Sequence, residues 1–86
     1  MQEGVVAVKV LYALSTGTAD PTKASLPIHL AVNGSHENGD EVSIFMAGDG
    51  TEFAAAGAIE AAEGLGVPPM RDLFAKVVQY EIPVHV

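Results

Sequence analysis

Ten consecutive residues near the amino terminus, Val5-Val6-Ala7-Val8-Lys9-Val10-Leu11-Tyr12-Ala13-Leu14, are apolar on both alternating faces apart from Lys9. A strand with one face in water alternates apolar and polar residues, whereas a strand covered on both sides is free to be apolar throughout. The run therefore predicts a central strand in a parallel sheet with helices on both faces. It is about half the length that a bilayer span needs.

The next residues fit this reading. Ser15-Thr16-Gly17-Thr18-Ala19 is a small polar turn, and Asp20 before Pro21 is the arrangement of an N-cap and a first helical residue. A helix is predicted from Pro21 to about His36, with Ala24, Ile28 and Ala31 at i, i+4 and i+7 and Leu30 widening the stripe. Pro27 has no N–H to donate, so the helix must be kinked or its first turn irregular. Asn38-Gly39 ends the element with residues that tolerate positive φ.

Glu41-Val42-Ser43-Ile44-Phe45-Met46 reads as a second strand and Gly48-Asp49-Gly50 as a turn. Thr51 then caps a short helix through the alanine-rich stretch ending near Glu63, weakened at Gly57 by roughly 1 kcal/mol relative to alanine. Pro69-Met70-Arg71-Asp72 opens another helix whose apolar side is Met70, Leu73, Phe74, Val77 and Val78. Residues 82–86 form a third strand, with Pro83 near its start where a missing donor costs least. Strand, helix, strand, helices, strand is the order of right-handed crossovers. The expected fold is one α/β domain over 1–86, a three-layer doubly wound parallel sheet of flavodoxin-like type with strand order beginning 2-1-3. Three parallel strands leave two raw edges, so the expectation is a chain truncated at its carboxy terminus, or a last strand covered by another subunit.

Four lysines and arginines against eleven acids give a net charge of −7. Such a surface repels nucleic acid, whose binding rests on phosphate neutralisation by Lys and Arg. The sequence has no cysteine, which removes disulfides, thiol nucleophiles, persulfide carriers and thiolate zinc sites from these residues. Met1-Gln2-Glu3-Gly4 lacks the basic region of a signal peptide. A soluble cytoplasmic protein with no membrane role is expected.

With these elements in view, the chain resembles the DsrE-like family. The resemblance lies in Asp20-Pro21-Thr22-Lys23-Ala24 and Leu26-Pro27-Ile28-His29-Leu30-Ala31, then in Asn38-Gly39-Asp40-Glu41-Val42-Ser43-Ile44-Phe45 and Gly48-Asp49-Gly50. It continues in Val67-Pro68-Pro69-Met70-Arg71-Asp72-Leu73 and Ile82-Pro83-Val84-His85-Val86. It implies a five-stranded parallel sheet, assembly as a trimer or hexamer, and a sulfur-relay or sulfurtransferase-like role with a possible sulfur-carrier protein as partner. In the family a cysteine follows the third strand, just past the position of Val86. Sulfur transfer is implied only if a cysteine lies beyond Val86.

Two loops are candidates for a crevice at the carboxyl end of the strands, where open α/β sheets bind ligands. Ser15, Thr16, Gly17 and Thr18 could turn backbone N–H groups toward a phosphate. Asp20 and Pro21 oppose this by charge and by a lost donor, and a plain βα turn is the simpler reading. Asp49 and Gly50, with Glu52 nearby, could bind a metal or serve as acid and base. A tight turn with acids complementing a helix dipole is the simpler alternative. His29 and His36 stand seven apart, which is not metal-binding spacing on a helix. His85, beside the family's cysteine position, could orient a ligand or tune a thiol, or be a surface histidine at a strand end. Ser15 and Ser43 lack a nucleophile elbow. No catalytic residue, cofactor or metal is identified. Three functions remain open: a sulfur-relay subunit, a non-catalytic homo-oligomeric assembly module, and a binder of a phosphate-bearing small molecule.

Overall fold

A computed structural model of the chain describes residues 8–86. Strand β1 (Lys9–Leu14) runs parallel to β2 (Glu41–Met46), with Lys9 beside Glu41 at one end and Leu14 beside Met46 at the other. Strand β3 (Val84–His85) joins the far edge of β2, Ile44 beside Val84 and Phe45 beside His85. Residues 5–7 of the expected first strand lie outside the described residues.

The α/β class and the all-parallel sheet agree with the sequence reading, but the strand order does not. It is β1-β2-β3, with β2 in the centre and β1 at an edge, instead of 2-1-3. The consequence is geometric. Two right-handed crossovers that step in the same direction put their helices on the same face of the sheet, whereas 2-1-3 would put them on opposite faces. Helix α1 (Pro21–Leu30) packs on both β1 and α3 (Met70–Gln79), so the described residues form two layers, not three. Burial along β1 and β2 alternates accordingly: Leu14, Val42, Ile44 and Met46 are buried, while Lys9, Leu11, Ala13, Glu41 and Phe45 are exposed.

Asp20 caps α1 as expected, its Oδ1 accepting the Lys23 N–H at 3.0 Å. Pro27 sits inside the helix and withholds one donor from the preceding turn. The helix does not run on as α to His36; residues Ala31–Ser35 form a π-helix, closed by His36 N–H on the Ala31 carbonyl. This wider turn brings Ser35 Oγ to 2.6 Å from the Tyr12 hydroxyl. It also places Asn33 against His29 Nδ1 at 2.9 Å, while Lys76 Nζ of α3 donates to Asn33 Oδ1.

The expected helix from Thr51 to Glu63 is split. A 3₁₀-helix covers Gly48–Ala54, and Thr51 Oγ1 donates back to the Gly48 carbonyl at 2.8 Å instead of capping a longer helix. Gly57 then adopts φ 82°, and only a single turn, α2 (Ala58–Ala61), forms after it. Helix α3 begins at Met70 and buries Met70, Leu73 and Val77, whereas Val78, expected on its apolar side, is exposed. The core lies between this helical layer and the inner sheet face, around Leu14, Ile28, Val32, Ile44, Phe53, Met70 and Leu73. Full burial of each such side chain contributes about 1.5–3 kcal/mol. No helix among the described residues is long and apolar enough to cross a membrane.

Candidate functional site

The carboxyl ends of β1 and β2 bring both candidate loops together. An added Cβ at Gly50 would collide with the Leu14 carbonyl, 2.6 Å from its carbon, and one at Gly17 would lie 2.8 Å from the Asp49 carbonyl oxygen. The two glycines therefore serve a close approach of backbone to backbone. Glu52 lies across this junction: its Oε1 accepts the Thr18 N–H at 2.8 Å and the Thr18 hydroxyl at 3.0 Å. The backbone donor that a phosphate would use is thus already held by a carboxylate, and that carboxylate opposes a second anion. Ser15, Thr18 and Asp49 are exposed, Thr16 is half-buried, and Gly17 and Gly50 are buried.

His85 is exposed and stands beside Phe45, on the sheet face away from the helices. His29 belongs to the Asn33–Lys76 network, and His36 stacks on Tyr80 with ring centroids 4.0 Å apart and planes 13° apart. Packing thus accounts for both. No group of three or more His, Asp or Glu side chains among the described residues is arranged to hold a metal. On α3, Arg71 donates to Glu63 Oε2 at 2.9 Å. That hydrogen bond, followed by the charge of Glu63, raises the guanidinium pKa. Since arginine is charged across the accessible range anyway, this adds no titration near neutrality.

Reasoning from the sequence points to the carboxyl ends and misses two concave surfaces. A cleft of about 580 Å³ opens at the amino ends of the strands, lined by Lys9, His36, Asp40, Glu41, Tyr80 and Glu81 among others. A more apolar groove of about 550 Å³ runs beside β3, between Met46, Phe53, Phe74, Val77, Val84 and Val86. Both surfaces form between segments distant in the sequence, so no local pattern marks them; at the first, Glu81 adopts φ 56°.

The largest departure from expectation is the outer face of the sheet. Side chains that share a register position share a face, so three rows cross it. Lys9 stands beside Glu41, Leu11 beside Ser43, and Ala13 beside Phe45 and then His85. Leu11 is 62% exposed and Phe45 39%, so the middle of this face is an uncovered apolar strip with a charged row at one end. The continuous apolar run of β1 is legible in the sequence, but the helices among the described residues cover only one of its faces. Comparison with protein-family models, with curated proteins and with solved structures finds no match to this chain.

Proposed function

We propose that the chain is a non-catalytic assembly module of DsrE-like character, which forms homo-oligomers through the helix-free face of its sheet. The observation that carries this reading is the contiguous exposure of Leu11, Ala13 and Phe45 on that face. The strip is no larger than the apolar patches that monomers carry, so what supports the reading is its place on a sheet face that the described helices leave uncovered. Binding of a phosphate-bearing ligand at the 15–18 loop has less support, because Glu52 occupies the Thr18 donors. Sulfur relay rests on the resemblance alone, and none of the 86 residues supplies a thiol.

Sedimentation velocity over a wide range of protein concentration tests the proposal. The expected result is concentration-dependent self-association, abolished by Phe45→Glu with the far-UV circular dichroism unchanged. A chain that sediments as a monomer up to about millimolar concentration, which leaves less than about 4 kcal/mol for association, would sink it.

A further inference from the structure

The rows on the open face are complementary to themselves, and this fixes how two copies can meet. Lys9 and Glu41 are adjacent charges of opposite sign, and among the described residues neither takes part in an ion pair. Leu11 is large beside the small Ser43, and Ala13 is small beside the large Phe45. The three rows thus read basic–acidic, large–small and small–large.

Two-fold axes of three kinds, along a strand, across the strands or between the strands, bring such faces together with strands aligned or reversed. An axis along β1 or along β2 sets like against like: Lys9 on Lys9 and Leu11 on Leu11, or Glu41 on Glu41 and Phe45 on Phe45. An axis across the strands, through the Leu11–Ser43 row, sets Lys9 against Ala13 and Glu41 against Phe45, which buries each charge on an apolar partner at considerable cost. An axis parallel to the strands and midway between β1 and β2 does neither. It sets Lys9 against Glu41, Leu11 against Ser43 and Ala13 against Phe45, each pair occurring twice.

We infer that two copies of this chain pack sheet face to sheet face about that third axis, β1 of each copy lying over β2 of the other. The inference rests on the assembly reading and adds the identity of the partner and its orientation. Aligned sheets pack about 10 Å apart, with strand directions about 30° from one another because of sheet twist. With a rise of about 3.3 Å per residue and a strand spacing of about 4.8 Å, the face covers about 200–300 Å² in projection per copy. That is well below the roughly 800 Å² per partner of a standard interface. Two copies then bury only about 400–600 Å² in total, less than most transient complexes, so the dimer is weak, with a Kd well above about 1 µM.

The symmetry supplies a test that effects within one chain do not imitate. Lys9→Glu gives a face with two acids and Glu41→Lys a face with two bases. Each variant alone repels its own copy at two places, and its dimerisation is expected to weaken at least about fivefold. Mixed together, the two variants present only opposite charges across the axis and should form a mixed dimer at least as tight as the native one. The size pair behaves alike: Phe45→Ala leaves a gap on self-association, Ala13→Phe a clash, and the mixture restores large against small. This second pair serves if a charge variant does not fold, as judged by circular dichroism. Kd values come from sedimentation equilibrium of each variant and each mixture. Native association that neither single substitution weakens, or that mixing does not rescue, overturns the geometry while leaving self-assembly standing. A native chain that does not associate overturns both.

Discussion

Among the described glycines, Gly50 is the one at which an added Cβ has least room. The peptide at Gly50 passes so close to the end of β1 that a methyl group meets the Leu14 carbonyl, and both partners are backbone. Relief then requires a shift of the β1–β2 junction, not a new rotamer. Gly50→Ala is expected to destabilise the chain by about 1–3 kcal/mol, read as a lower urea midpoint at unchanged slope. Glu52 acts more gently. Removing its carboxylate by Glu52→Ala frees the Thr18 N–H and hydroxyl, both exposed to water, so the cost is about 1 kcal/mol by the same measurement. These residues show how far local reading reaches. Sequence patterns locate Ser15–Thr18 and Asp49–Gly50 at neighbouring strand ends, and the structure bears this out. They assign the glycines to turns or phosphate contact because nothing local announces that another loop will lie 2.8 Å from where a Cβ would be. Nor does any motif mark a glutamate thirty-four positions away as the partner of Thr18.

At the scale of elements, start signals are legible and continuations are not. Asp20 before Pro21 marks a helix start through chemistry within the first turn, and Pro69 marks the start of α3 as the residue just before it, without a side-chain cap. How a helix ends depends on what it packs against. Pro27 is a sound warning of irregularity, yet the chain absorbs it within α1 and changes to a π-helix only at Ala31. What the π turn gains is visible in its side chains, since Ser35 reaches Tyr12 of β1 and Asn33 bridges His29 to Lys76 of α3. Asn33 thereby ties α1 to the last helix at a half-buried position. Asn33→Ala removes both bonds and leaves the Lys76 ammonium without its acceptor. A loss of about 1–2 kcal/mol is expected, seen as a lower thermal midpoint. Asn33→Leu, branched in the same way but without polar atoms, should not restore it, because the lost element is the pair of hydrogen bonds and not the packing.

For the whole molecule, the decisive quantity is absent from the periodicity. Strand order 2-1-3 and order 1-2-3 use the same elements in the same sequence with the same handedness; they differ in whether the second crossover returns across β1 or continues past β2. An apolar run is consistent with burial by helices on both faces, and equally with burial by helices on one face and another chain on the other. In the structure the helices cover one face of β1 only, leaving Leu11 exposed while Leu14 is buried. A domain of this size holds a small core, and its stability is correspondingly marginal. Association that covers the outer face then bears on stability as well as on shape, because it acts on the folded state and not on the unfolded one. Once the chain is mostly dimeric, free folded monomer grows as the square root of total protein. Each tenfold rise in concentration then stabilises a chain by half of the tenfold equivalent, about 0.7 kcal/mol. The urea midpoint of the native chain should therefore climb with protein concentration above the dimer Kd and level off below it. Phe45→Glu, which places a charge at the centre of the apolar strip, should give one midpoint at every concentration. A native midpoint that stays constant across a range in which sedimentation detects dimer would mean that the paired surface survives unfolding, and the outer face of the sheet would then not be that surface.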